Sequence, residues 1–346
     1  MSTRGGIREF AFRPGAGILL VKLGSIGDVV CTLPLLNRLR RGLPQARLGW
    51  LIEPKSHPVV SGHDAVDRFI VHERGGGWAA IRETLAQVRD FSPGLVLDLQ
   101  RIARSAFFTA TSGAPQRLGF DRWRSKEFSW LATNEQIPPA DPGRHMVEQY
   151  LEFADYLGLP PGPIEFNLPR SATPERVAEI LAPIRGRRYL AFNIGAAKPA
   201  NRWSPEHWRR LSGLAGEAGW QVVITGGRED LRTADLVRGE GEKPVLNLAG
   251  ETSLPELIEV LAGASAVVTG DTGPMHIASA LGIPTIALFG PANPRRTGPY
   301  RHGHLVIRSG IACAPCGRRR CRHPLCMEGI LPETVWNKVT SVVAEE

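Results

Sequence analysis

Short apolar runs bounded by glycine or proline alternate along this chain with stretches whose apolar residues recur every three or four positions, and the whole alternation occurs twice. In the first half, "GILLVKL" (17–23), "RLGWLI" (47–52), "DRFIVH" (67–72) and "GLVLDLQ" (94–100) read as strands. Between positions 26 and 39, Ile26, Val29, Val30, Leu33, Leu36 and Leu39 fall on one helical face. Pro34 interrupts that face, so the helix is expected either to kink there or to restart with Thr32 as its cap and Pro34 in the new first turn. "WAAIRETLAQVRD" (78–90) is a second helix. This order predicts a parallel, doubly wound sheet. The helical stretch "RHMVEQYLEFADYLG" closes the half at Gly158. "LPPGPIEFNLPRSATP" (159–174), with five prolines in sixteen residues, then has the composition of a linker.

The pattern restarts after that linker. "RYLAFNIG" (188–195) is a strand. "SPEHWRRLSGLAGEAG" (204–219) is a helix with Ser204 as its cap and Pro205 at its first position. "WQVVITGG" is a strand entering a diglycine turn, "SLPELIEVLAGA" (253–264) a helix, "SAVVTG" a strand, "GPMHIASALG" a helix and "IPTIALFG" a strand. The expected organisation is α/β throughout: a Rossmann-like domain over 17–160, a second over 172–330, and a C-terminal helix, "LPETVWNKVTSVVAEE", over 331–346. Two such domains with a cleft between them suit a ligand held at the carboxyl ends of both sets of strands.

Composition narrows the class. In 346 residues, 42% are apolar and 22% charged, which fits a globular protein with a sizeable core. No apolar run approaches the roughly 20 residues of a membrane span, and "MSTRGGIREFAFRPGAG" lacks the apolar segment of a secretory signal. The expected compartment is therefore the cytoplasm. Lys plus Arg exceed Asp plus Glu by eight, with basic residues concentrated over 101–126 and 318–322. Such patches are either solvated surface or attract anions: nucleic acid, anionic lipid, or a phosphorylated or carboxylated substrate.

Two turns carry the candidate chemistry. "VKLGSIGDVVCTLP" (21–34) runs from a strand through a glycine-bearing turn into a helix, an arrangement that often cradles phosphate. Its carboxylate, Asp28, is wrong for that purpose. "VVTGDTGPMHIASALG" has the same plan without that objection: Gly273 permits close backbone approach, Pro274 costs little in a first helical turn, and Thr272 with the open N–H groups can hold a diphosphate. Asp271 can orient these donors or cap the helix, and His276 lies one turn in. "NIGAAKPANRWSPEHW" again follows a strand and precedes a helix, and brings Lys198, Asn201 and Arg202 to its loop.

The stretches "VKLGSIGDVVCTLPLLNRLR", "NRWSPEHW", "TSLPELIEVLAGASAVVTGDTGPMHIASALG" and "ALFGPANP", in this order and spacing, resemble the lipopolysaccharide heptosyltransferases of glycosyltransferase family 9. The resemblance runs from about Gly17 to the C-terminus. It implies the GT-B fold, two Rossmann-like domains facing a cleft. It also implies inverting transfer of a heptose from ADP-heptose to the lipopolysaccharide inner core or a related acceptor, with no cofactor required for chemistry. Asp28 then matches the family's proposed base, which takes the acceptor proton as its hydroxyl attacks the anomeric carbon. Ser25 and Gly27 of the same loop, with Arg101, Arg117 and Arg122, are expected at the acceptor. Arg104 and Arg124 extend that basic surface toward the acceptor or an anionic leaflet. Lys198, Asn201, Arg202, Thr252, Asp271, Thr272, Gly273 and His276 are expected at the donor. Relatives often carry a lysine where this chain has Asn201, so the counter-charge to the diphosphate falls to Lys198 or Arg202, or the donor differs. The implied partners are the nucleotide sugar and an anionic glycolipid at the inner-membrane surface, which places the protein in the cytoplasm, peripheral to that membrane, with no nucleic acid.

Four of the five cysteines, Cys313, Cys316, Cys321 and Cys326, lie within fourteen residues in "CAPCGRRRCRHPLC". Thiolates in so tight a loop can converge on one tetrahedral ion, zinc or iron, as a structural site. Free thiols are the alternative, and disulfides suit a reducing compartment less well. His323 is a spare ligand. Cys31 stands apart as a small apolar residue. Two rival readings remain. A nucleic-acid-binding metalloprotein would use the basic residues and cysteines but leave both Rossmann-like halves idle. A dinucleotide oxidoreductase requires G-x-G-x-x-G, which "GSIGDV" does not supply. Within glycosyltransferases, another nucleotide sugar or a protein acceptor stays open.

Overall fold

A computed structural model describes residue 15 and residues 17–170, 174–239 and 245–344. The N-terminal stretch inspected for a signal, and the last two residues of the expected C-terminal helix, lie outside the described residues. The chain forms two compact units, Met1–Pro169 and Arg170–Glu346.

The first unit runs β1 (Gly17–Val21), α1 (Ile26–Gly42), β2 (Arg47–Ile52), β3 (Arg68–Val71), α2 (Gly77–Phe91), β4 (Leu95–Asp98), α3 (Ala103–Thr111), β5 (Gln116–Gly119), β6 (Glu135–Gln136) and α4 (Met146–Tyr156). Its six strands pair in parallel in the order β3-β2-β1-β4-β5-β6. β1 and β4 are central and wholly buried, which is why β1 and Leu95–Leu97 of β4 read as apolar runs, with only Asp98 at the end of β4 charged. Leu19, Val21, Leu51 and Val96 pack with Val88 and Phe91 of α2 and Phe108 of α3. Val21 pairs with Asp98, so β1 and β4 end side by side.

Pro34 neither ends nor restarts α1, which is one helix from Ile26 to Gly42. Thr32 does not cap a second helix. Its hydroxyl donates back to the Asp28 carbonyl at 2.9 Å. The proline-rich stretch is packed rather than free. Buried Arg38 donates to the carbonyls of Leu159 and Pro160 at 2.6 and 2.9 Å, and Asn37 to that of Glu165 at 2.8 Å.

The second unit runs α5 (Pro174–Ile180), β7 (Tyr189–Asn193), α6 (Pro205–Glu217), β8 (Gln221–Thr225), α7 (Leu231–Arg238), β9 (Val245–Asn247), α8 (Leu254–Ala262), β10 (Ala266–Gly270), α9 (Gly273–Ala280), β11 (Thr285–Leu288), α10 (Pro294–Thr297), β12 (Val306–Ile307), α11 (Leu325–Glu328) and α12 (Pro332–Val343). Its sheet is again parallel, in the order β12-β11-β10-β7-β8-β9. Ser204 caps α6 by accepting from His207 N–H, and Ser253 with Glu256 forms a reciprocal capping box on α8. α12 belongs to this core: Val335, Val339 and Val343 pack with Leu190, Val222, Val268 and Trp208, and Trp203 Nε1 donates to the Ile330 carbonyl at 2.9 Å. Two doubly wound parallel sheets of six strands constitute the expected GT-B class. Among the described residues no helix is long and apolar enough to cross a membrane.

Candidate active site

In the first unit, β1 delivers the chain to a loop, residues 22–25, and α1 begins at once. Ser25 occupies the N-cap position, Gly27 is buried in the first turn, and Asp28 stands in that turn at the end of the sheet. A carboxylate there is favoured by the helix dipole. Ser25 Oγ donates to Asp28 Oδ2 at 3.4 Å. The larger influence is Lys22, which the sequence reading passed over. Its Nζ lies 3.5 Å from Asp28 Oδ2 and 5.3 Å from the centre of the Tyr150 ring, and the residue is only 2% exposed. Burial pushes the Lys22 ammonium below its ordinary pKa. Asp28 opposes that shift, and Arg101 adds to it.

The basic stretch after β4 divides by burial. Arg101 is buried in the left-handed backbone region, φ 68°, donates to Gln149 Oε1 at 3.3 Å, and lies 4.6 Å from the Phe120 ring centre. Arg117 donates to the carbonyls of Ala132 and Ala114. Arg124 is buried against Asp121 and Glu152, and Arg104 pairs with Glu53. Arg122 is exposed, stacked 5.2 Å from Trp130. Buried Asp98, at the end of β4, accepts from Gln100 and Arg101 N–H and from Ser105 and Thr109 hydroxyls. Burial raises its pKa, and these four bonds work against the rise.

In the second unit, β10 ends at Gly270, and Asp271 and Thr272 lead into α9. Thr272 is the N-cap residue, yet its side chain makes no capping bond. Its Oγ1 turns instead to Thr269 Oγ1 at 3.0 Å and to Asn193 Nδ2 at 3.3 Å. The Thr272 side chain thus does not cap α9, as an anion receptor requires. Gly273 opens the helix, and His276 follows in its first turns.

Lys198 and Asn201 come to the same place. Lys198 Nζ lies 3.4 Å, and Asn201 Nδ2 3.2 Å, from Asp271 Oδ2. The buried Asn201 Oδ1 has no hydrogen-bond partner among the described residues, an acceptor that wants a donor. Arg202 is not with them: it pairs with Asp230 at 3.2 Å and donates to the Ala196 carbonyl. Thr252 precedes α8, beyond β9 at the far side of the sheet from β12. Asn193 was not foreseen. It ends β7 and ties Thr225, Thr269 and Thr272 into one polar girdle across β8, β7 and β10.

One strand–turn–helix carries Asp28 in the first unit, and another, uncapped by its own Thr272 side chain, stands beside Lys198 in the second. The profile of glycosyltransferase family 9 (heptosyltransferase) matches residues 81–326. The chain belongs to this family. It is 31% identical to lipopolysaccharide heptosyltransferase 1 of Pseudomonas aeruginosa, over 94% of this chain and 98% of that one. It is 29% identical to lipopolysaccharide heptosyltransferase 1 of Escherichia coli K12, over 84% and 93%. Among solved structures it is similar to an E. coli heptosyltransferase determined with ADP, with TM-score 0.72, 26% identity, and 95% and 98% of the two chains covered. A family 9 glycosyl transferase from Veillonella parvula, at 22% identity and TM-score 0.82 over 95% and 97%, shares the fold.

The cysteine loop of this family member lies beside the donor-side turns. Gly317 N–H donates to the Pro291 carbonyl at 2.7 Å, and Ala200 N–H to the Arg319 carbonyl at 3.2 Å. Cys313, Cys316 and Cys321 are exposed, and Cys326 is buried. Burial pushes the Cys326 thiol pKa up, and Cys313, Cys316 and Cys321 add to the rise. Among the described residues no three His, Cys, Asp or Glu side chains converge closely enough to hold a metal ion. In this arrangement the cysteines are neighbours in a loop and not a formed ligand set.

Proposed function

We propose that this protein is an inverting heptosyltransferase that moves a heptose from ADP-heptose to the inner core of lipopolysaccharide. The observation that carries this reading is the donor seat. The first-turn N–H groups of α9, which the Thr272 side chain does not cap, and the Lys198 ammonium suit a diphosphate, while the orphan Asn201 oxygen, an acceptor, suits a hydroxyl or amino group of the nucleoside or sugar. Kinship over nearly the full length with proteins named for this activity supports the choice of sugar.

In the reaction, an acceptor hydroxyl oxygen attacks the anomeric carbon and its proton passes to the Asp28 carboxylate. The bond from that carbon to the diphosphate breaks, and its electron pair stays with the leaving ADP oxygen. Charge on ADP grows as the bond breaks, so donors already aimed there stabilise the transition state more than the ground state. Lys198 supplies the counter-charge, Gly273 the close backbone approach, and Thr272 and His276 the remaining donors. Asp271 holds Lys198 and Asn201 in place, and Thr252 lines the nucleotide. Arg202 serves the loop through Asp230. Ser25 and Gly27 shape the turn that carries the base. Arg122, with Arg101 and Arg117 behind it, makes the acceptor side basic. Lys22 pairs with Asp28 and orients it.

The acceptor's lipid places the enzyme at the cytoplasmic face of the inner membrane as a peripheral protein. The cysteine loop suits a structural zinc or iron because four sulfur donors occupy fourteen residues of one loop. Such an ion would brace the backbone that holds Ala200 and would take no part in the transfer.

Release of ADP, UDP or GDP from a panel of nucleotide sugars, with delipidated inner-core sugar as acceptor, tests the whole reading. ADP release dependent on both ADP-heptose and the acceptor is the expected result. Asn201, in place of a lysine, favours a second reading with a different nucleotide sugar, and preferential turnover of another donor in the same panel would establish it.

A further inference from the structure

One face of the first unit displays large apolar side chains that the chemistry above does not use. Trp123 is 82% exposed, Phe128 76%, Leu131 67% and Trp78 78%. They form one neighbourhood. Trp78, at the start of α2, and Phe107 of α3 line a cavity of about 340 Å³ with Arg74 and Arg104. The Ala103 N–H at the start of α3 donates to Glu127 Oε2 at 3.0 Å, which ties α3 to the segment bearing Trp123, Phe128 and Leu131.

These side chains are held out rather than left loose. Trp123 lies between two fixed points: its N–H donates to buried Asp121, and its neighbour Arg124 is locked by Asp121, Glu152 and the Pro138 carbonyl. Glu127 and Phe128 both adopt left-handed backbone, φ 50° and 56°, which costs energy in residues other than glycine. Ser129 N–H and Leu131 N–H then bond back to Lys126 and Phe128, fixing the tip. A loop with this much internal restraint, ending in bare aromatic rings, is built to present them.

Exposed cations sit among the rings. Arg122 stacks on Trp123 and Trp130 at 5.9 and 5.2 Å, and Arg74 and Lys126 are also exposed. Tryptophan, phenylalanine and leucine interleaved with arginine and lysine match an anionic bilayer surface: rings enter the headgroup region and cations meet lipid phosphates. A second copy of the chain fits less well, because a twofold contact would set the same cations against each other. We propose that the face formed by Trp78, Phe107, Trp123, Phe128 and Leu131 is the surface by which this protein docks on an anionic membrane. This rests on the reading that the acceptor is a membrane glycolipid.

The experiment is co-sedimentation of the full chain with vesicles, either phosphatidylethanolamine with phosphatidylglycerol or phosphatidylcholine alone. Binding is expected to the anionic vesicles only, to weaken with added salt, and to shift Trp fluorescence to the blue. In Trp123→Ser/Phe128→Ser, affinity should fall on the order of tenfold to a hundredfold, with the circular dichroism spectrum and transfer to delipidated acceptor unchanged. Equal vesicle binding by parent and variant overturns the proposal. So does a parent that ignores anionic vesicles, or one that dimerises through this face in sedimentation equilibrium while the variant stays monomeric. Heptose transfer to the soluble acceptor without vesicle binding refutes the docking surface alone. Vesicle binding without such transfer refutes the reading of the reaction instead.

Discussion

On the proposed reaction, replacing Asp28 with asparagine removes a base and a counter-ion together, and the two losses can be measured apart. The shape is kept while the basicity is lost, so kcat should fall about 10²- to 10⁴-fold, the usual contribution of a positioned base. ADP affinity should hardly change, because the donor seat lies in the other unit. The second loss falls on Lys22, whose buried ammonium lies 3.5 Å from the carboxylate. At an effective dielectric constant of about 20, that separation corresponds to an attraction of about 5 kcal/mol. The Asp28 side chain is 36% exposed, and solvent screens most of this energy. A net loss of about 1–2 kcal/mol, a few degrees in Tm, is the reasonable expectation.

The double variant Asp28→Asn/Lys22→Met separates the two effects. Burying a methionine in place of an unpaired ammonium should return most of the lost stability. It should return none of the turnover. Burial already lowers the Lys22 pKa. Without Asp28 it falls further, so the stability gap between Asp28→Asn and the parent should narrow as the pH rises and Lys22 sheds its proton in both. Calorimetry across pH gives the stabilities, and ADP release gives kcat. Near-parent turnover in Asp28→Asn would remove Asp28 from the chemistry. Recovery of turnover in the double variant would make it a mere counter-ion for Lys22.

Three further expectations follow from the same geometry. His276→Ala should weaken ADP binding severalfold and Gly273→Val should nearly abolish it by blocking backbone approach; titration calorimetry giving equal affinities would place the nucleotide elsewhere. Elemental analysis of untagged protein should find about one zinc or iron per chain, lost in Cys313→Ser with a lower Tm. Because the loop carrying Arg319 holds Ala200, the same variant should show a higher KM for the donor at a little-changed kcat, and metal-free parent protein with four titratable thiols would rule the ion out. His63 is buried with its Nδ1 accepting from Ala65 N–H, and burial lowers its pKa. Stability from this group is therefore full above the unfolded value near pH 6.5 and is lost as the pH falls below it toward the folded value, so His63→Gln should flatten the decline in Tm between about pH 7 and 5.

What the sequence disclosed follows from the range of the forces involved. "RLGWLI" is strand Arg47–Ile52 to the residue because its buried span, Leu48–Ile52, must be apolar on both faces. Ser204 and Ser253 cap their helices because a cap is decided within four residues. The same locality explains the omissions. Residues 101–111 read as a basic patch, yet α3 lies there, its inner face made of Ser105, Thr109 and Phe108 around buried Asp98, so no apolar stripe marks it. β6 is two residues at a sheet edge, too short for any period. Pro34 was a reason to break α1, but eleven of the helix's other residues from Gly27 to Leu39 are buried, and packing outweighs the one hydrogen bond that proline removes. The site divides in the same way. The turns at Asp28 and Asp271 are local signals. Their partners are not: Asn193 meets Thr269 and Thr272 only because β7 pairs with β10. Lys22 reads in sequence as the polar end of an apolar strand. Only the fold shows it buried beneath Tyr150 with Asp28 as its counter-charge. A carboxylate 3.5 Å from a buried ammonium is fixed in direction, a condition for accepting a proton from a hydroxyl. The motif thus marks Asp28 for the proposed role, while the strand leading into it supplies the ammonium that orients it.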